Sequence, residues 1–118
     1  MANTYTQILL HVVFAVKYRE SRIKEENREE LQKYITGIIQ NRGHKLLAIY
    51  CMPDHIHILV SIKPDVLIAD LVRDIKTGST KFINESGWIK EKFAWQEGYG
   101  AFSYSRSNLK HVVSYIEN

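Results

Sequence analysis

The sequence has 118 residues, 45% of them hydrophobic and 25% charged, which fits one ordinary globular domain (1–118) and excludes disordered, fibrous and collagen-like classes. A single cysteine, Cys51, excludes a disulfide framework or a cysteine-based zinc cluster and fits a reducing cytoplasm; no secretory signal is expected, and apolar runs such as Val12 to Val16 are far short of a membrane span. The net charge of +3 is concentrated in residues 1–24, where Lys17, Arg19, Arg22 and Lys24 oppose only Glu20, while every later segment balances. Such a cluster is a candidate phosphate contact, although charge alone fits a solvated loop better.

Ile8 to Val16 is nearly all apolar and rich in β-branched residues, the pattern of a strand buried on both faces. Polar Lys17–Lys24 reads as a connection. From about Glu25 to Arg42, Leu31, Tyr34, Ile35, Ile38 and Ile39 form one stripe at helical spacing. Acidic residues crowd its first turns, and Gly43 follows as the C′ residue. Residues 45–51 read as a second strand, Pro53-Asp54 as a turn, and His55–Ile62 as a third strand. Alternation in that strand puts Ile56, Ile58, Val60 and Ile62 on one face and His55, His57, Leu59 and Ser61 on the other.

Pro64-Asp65 opens a second helix with Asp65 as candidate N-cap and a stripe of Ile68, Leu71, Val72, Ile75, Ser79 and Phe82. The aromatic stretch 93–104, interrupted by Gly98 and Gly100, fits a strand with a bulge or bend. Ser107 or Asn108 caps a last helix whose stripe is Leu109, Val112, Val113 and Ile116. The order β-α-β-β-α-β plus a helix is the α+β, ferredoxin-like split βαβ arrangement, an antiparallel sheet with helices on one face. That arrangement leaves His55 and His57 on the open face.

Two imidazoles at i and i+2 of a strand stand roughly 6.6 Å apart at Cα and can converge on one divalent cation. A lone His-x-His is nevertheless weak evidence, and by itself fits a pair of surface or half-buried sheet histidines better. Tyr115 lies at the edge of the last helix's apolar stripe, which suits an accessible hydroxyl without requiring a reactive one. Arg73, Lys76, Thr77 and Thr80, with Lys81 beside them, line up on the second helix as a candidate phosphate-holding face that a solvated surface explains as well. His11 reads as a packed histidine, although the open sheet face would put it near a cation held by His55 and His57, and Trp88 and Trp95 read as core or edge packing, with base stacking the lesser alternative. Tyr5, Tyr18, Tyr50, Tyr99 and Tyr104 read as packing or stacking groups.

The block Met52-Pro53-Asp54-His55-Ile56-His57, the later Trp95-Gln96-Glu97-Gly98-Tyr99, Tyr115 in the terminal segment and the opening His11-Val12-Val13-Phe14 with Lys17-Tyr18-Arg19 closely resemble the single-tyrosine HUH transposases of small bacterial insertion sequences, of the IS200-like type. The resemblance spans essentially the whole chain. It implies a DNA transposase that nicks single-stranded, hairpin-bearing transposon ends through a 5′-phosphotyrosine intermediate and rejoins them. It further implies Tyr115 as nucleophile, and His55 and His57 as ligands of Mg²⁺ or Mn²⁺. Lys17, Arg19, Arg22, Arg73 and Lys76 become DNA-contact candidates. The partners implied are DNA hairpins and a second copy of the chain, in a homodimer whose active sites are shared, with no membrane. The family places a third ligand, a glutamine, four residues after its tyrosine. Here that is position 119, just beyond Asn118, so the resemblance implies a shortened last helix, or Asn118 in that role at i+3. The competing class is a non-catalytic single-stranded nucleic-acid-binding module, with a metal-dependent phosphodiesterase lacking a covalent step behind it.

Overall fold

The computed structural model describes residues 8–103. Four strands and two long helices follow one another as β1 (Ile8–Ala15), α1 (Glu25–Asn41), β2 (Lys45–Cys51), β3 (His55–Ile62), α2 (Ile68–Ser86) and β4 (Gly100–Ser103), with a single 3-10 turn at Lys17–Arg19. The sheet is antiparallel throughout, in the order β2-β3-β1-β4. This is the α+β, ferredoxin-like arrangement expected from the sequence, with β1 and β3 at its centre. The expected last helix, with Tyr115 and Asn118, lies outside the described residues, as do Tyr5, Tyr104 and His111.

The core forms where the apolar stripes meet. Leu31, Ile35 and Ile39 of α1 and Leu71, Val72, Ile75 and Ile83 of α2 close over Leu10, Val12 and Phe14 of β1 and Ile56, Ile58, Val60 and Ile62 of β3. Burying a large aliphatic side chain contributes about 1.5–3 kcal/mol, so this face supplies most of the driving force. Gly78 is where the helices approach closely: a Cβ there would lie 2.8 Å from Ile38 Cδ1. Gly43, at φ +82°, takes the left-handed conformation that ends α1, and its amide donates to the Gln40 carbonyl while that of His44 reaches Ile39.

Four expectations are adjusted. Helix α2 begins at Ile68 after Leu67, with no side-chain cap, so Asp65 is not its N-cap. Pro64 fixes the chain locally, but the following residues do not enter helix until the apolar stripe reaches the core. Tyr34 sits at the rim of its stripe, stacked on Phe82 with ring centroids 4.3 Å apart, while Ile83 takes the inward place beyond Ser79. The stretch after Phe93 is not one strand: Trp95 makes an isolated bridge with Val16, Gly98 turns at φ +86°, and β4 starts only at Gly100. Finally, β1 is sealed on one face only, since His11, Val13 and Ala15 are half-buried.

Candidate functional site

The second face of the sheet carries the polar residues. Register pairs Val13 with His57 and Ala15 with His55, so both histidines share a face with the odd-numbered residues of β1. Across the diagonal stands His11, itself opposite Leu59 on β3 and Phe102 on β4. That face is not bare, because Leu9, Ala48 and Leu59 on it are buried. At the strand ends a cleft of about 440 Å³ opens, lined by Arg19, His55, His57, Tyr99, Gly100 and Phe102 among others.

Main-chain bonds fix the turn that presents the pair. The Met52 amide donates to the His55 carbonyl, the Arg22 and Ile23 amides both donate to Pro53 O, and the Val16 amide donates to Asp54 O at 2.8 Å. Residues Tyr18 and Arg19 both adopt positive φ, 62° and 56°, an uncommon conformation for side chains with a Cβ. This sharp turn brings the Arg19 guanidinium onto Asp54 Oδ2 at 3.1 Å.

The side chains then form a continuous line. Asp54 Oδ1 lies 2.7 Å from His55 Nδ1, His55 Nε2 lies 3.1 Å from His57 Nε2, and His57 Nδ1 lies 2.9 Å from His11 Nε2. The hydrogen bond to His55, aided by Arg19, holds the Asp54 carboxyl below its ordinary pKa. An ionised carboxylate only accepts, so His55 Nδ1 carries the proton that donates to it, and a neutral His55 offers its lone pair at Nε2. Burial, followed by the neighbouring charges of His55 and His11, pushes His57 down to about 4. His57 is therefore neutral at pH 7. Burial lowers His11 as well.

Chemically, two imidazoles with converging Nε2 atoms, one oriented by a carboxylate and the other by a second imidazole, fit part of the coordination sphere of a borderline divalent cation. Among the described residues, no group of three or more His, Cys, Asp or Glu side chains has metal-binding geometry; His55 and His57 are two nitrogens that could hold such an ion in part.

Of the expected cations, Arg19 alone bonds Asp54 and lines the cleft that holds this pair. Arg22 instead bonds Glu20 and Glu91, and the Lys17 ammonium lies 5.4 Å from the centre of the Tyr18 ring. On α2, Arg73 pairs with Asp70 and Asp74. Lys76 donates to the carbonyls of Gln96 and Gly98 at 2.8 and 2.6 Å, and its burial lowers its pKa. These residues, with Thr77, Thr80 and Lys81, line a separate groove of about 680 Å³ between α2 and residues 94–99. Trp95 forms the packed floor of that region: it meets Phe14 and Phe93 edge-on and donates its indole N–H to Ser79 Oγ. Trp88 packs edge-on against Phe82.

Sequence reasoning missed two members of the line. Asp54 was visible as the acidic residue immediately before the histidines. His11 was read as packed although strand alternation already put it on the open face; its direct link to His57 depends on the β1–β3 register.

The sequence matches the family described as "Transposase IS200 like" over residues 4–118. It is 27% identical over 117 residues to the ISDra2 transposase TnpA of Deinococcus radiodurans, covering 95% of this chain and 84% of that protein. It is 26% identical over 123 residues to a Salmonella typhimurium transposase for insertion sequence element IS200, covering 100% of this chain and 80% of the other. Among solved structures, a putative transposase from Deinococcus radiodurans superposes with a TM-score of 0.80 at 24% identity, over 100% of this chain and 95% of that one. A REP-associated tyrosine transposase bound to a REP hairpin gives 0.71 at 18% identity, over 98% and 68% respectively. At those identities the structural likeness concerns the fold.

Proposed function

The chain belongs to the IS200-like transposase family, and on that premise we propose that it is a metal-dependent single-strand DNA endonuclease and strand transferase acting in the cytoplasm on hairpin-bearing transposon ends. The observation that carries this reading is the convergence of His55 Nε2 and His57 Nε2, 3.1 Å apart, in a cleft open to solvent, with His55 oriented by Asp54. Most sheet histidines have no reason to point two nitrogens at one spot.

His55 and His57 would hold Mg²⁺ or Mn²⁺, which when bound withdraws charge from the oxygens of the scissile phosphate. Asp54 keeps the Nδ1 proton of His55 in place, and the low pKa of His57 keeps that ring neutral. Arg19, tied to Asp54, adds positive charge at the mouth of the same cleft. Tyr115 is the nucleophile. Its phenol gives its proton to solvent, its oxygen bonds to phosphorus, and the bond to the 3′-oxygen breaks, that oxygen taking a proton from solvent, to leave a 5′-phosphotyrosine and a free 3′-OH. A second 3′-OH reverses the step and rejoins strands, with no net loss of phosphodiester bonds. Two copies of the chain share their active sites in this reading.

A second reading, a non-catalytic module for single-stranded nucleic acid, draws on the exposed rings of Tyr99 and Phe102 beside the cleft. Incubation with labelled single-stranded hairpin DNA and Mn²⁺, followed by a denaturing gel, separates the two. A covalent adduct that disappears in Tyr115→Phe and His57→Ala supports the transposase. Tight binding without an adduct favours the module, and no binding rejects both.

A further inference from the structure

His11 stands where its only packing duty would be to fill the sheet, yet its Nε2 lies 2.9 Å from Nδ1 of His57. The rings are 5.1 Å apart and tilted by 30°, so this is an in-line hydrogen bond and not a stack. Two proton arrangements satisfy the line of side chains. In the first, His11 Nε2–H donates to His57 Nδ1, and His57 Nε2–H donates to His55 Nε2. In the second, His57 carries its proton on Nδ1 and donates it to His11 Nε2. In the first arrangement the Nε2 lone pair of His55 accepts the His57 proton, and His57 Nε2, being protonated, has no lone pair to offer. The second leaves both Nε2 lone pairs facing the same point, an arrangement that a cation between them makes favourable.

We propose that His11 is the positioning residue of the His55/His57 pair: by accepting the Nδ1 proton of His57, it frees the His57 Nε2 lone pair to stand beside that of His55 and receive a divalent cation. The inference rests on the cation-site reading given above. Cation binding moves one proton within His57 from Nε2 to Nδ1 and one within His11 in the same sense, so no net proton is taken up or released. His11 thereby does for His57 what Asp54 does for His55. Outer partners of ligating histidines characteristically change metal affinity by about 10–100-fold.

The test is calorimetric titration of the purified chain with Mn²⁺ alone, in the wild type and in His11→Leu, His11→Gln and His57→Ala, each checked for unchanged thermal unfolding. Leucine fills the half-buried position without an acceptor, whereas the glutamine Oε1 can accept where the imidazole Nε2 did. His11→Leu is expected to weaken Mn²⁺ binding by about 10–100-fold, and His11→Gln to recover most of it. Loss in both variants alike, or wild-type affinity in His11→Leu while His57→Ala is defective, overturns the role of His11 alone. Equal binding by the wild type and His57→Ala overturns the cation site and this inference with it. Long-range ¹H–¹⁵N spectra of the Zn²⁺-loaded wild type provide the second readout. A proton on His57 Nδ1 is expected, and one on Nε2 would contradict the proposal.

Discussion

On one side of β3, Ile56, Ile58, Val60 and Ile62 meet the two helices and are sealed from solvent; on the other, His55 and His57 stay half-buried beside an open cleft. Neighbouring residues of a single strand thus live under opposite rules. The aliphatic face gains free energy with every square ångström it hides. The histidine face works against burial, since partial desolvation opposes the charged form of His57 and brings its pKa down to about 4. The apolar face anchors the strands that carry the three imidazoles, and the turn bonded to Val16, Arg22 and Ile23 sets Asp54 against the first of them.

This contrast can be broken from either side. The largest stability effect belongs to the sealed face: Phe93→Ala, at a ring wholly buried against Trp95, should cost about 3–5 kcal/mol in denaturant unfolding. A much smaller loss would mean that the core is not organised around that aromatic cluster. On the other face, His57→Ala should leave the unfolding midpoint nearly unchanged while reducing DNA cleavage by more than about 100-fold, beyond what loss of an outer partner causes. Asp54→Ala comes next. It removes the acceptor of His55 Nδ1 and one partner of Arg19, and should weaken Mn²⁺ binding by about 10–100-fold.

The pH dependence is the subtlest. The pKa of His57 is lowered on folding from 6.5 to about 4, so between those values the unfolded chain binds more protons than the folded one. Stability contributed by this group is present above pH 6.5 and is lost as pH falls toward 4. Thermal unfolding midpoints measured across that window should decline on acidification in the wild type and decline less in His57→Leu. An identical slope in both would assign the acid sensitivity to other groups.

The strands β2 and β3 and the helix α1 were legible from the sequence nearly to the residue because their periodicities are uninterrupted and bounded by Gly43, Pro53 and Pro64. The start of α2 was not, since a proline followed by an acidic residue resembles a helix entry whether or not the chain bends there. The His55/His57 pair followed from strand alternation alone. Its partners were harder, because Asp54 gains meaning only through a tight turn and His11 only through a register that no local pattern encodes. The basic stripe of α2 lined up as expected, but Arg73 is tied to carboxylates and Lys76 to main-chain carbonyls. Helical spacing places cations on a face without revealing what they neutralise.

The proposed chemistry turns on a covalent bond between this chain and DNA through Tyr115. The most direct measurement is mass spectrometry of tryptic peptides after incubation with single-stranded hairpin DNA and Mn²⁺, followed by nuclease trimming. Cleavage after Lys110 yields a peptide, residues 111–118, in which Tyr115 is the one tyrosine. The predicted result is a nucleotide phosphate mass on that peptide, absent in His57→Ala. DNA cleavage with the peptide unmodified, or with the adduct on another tyrosine, would contradict the account.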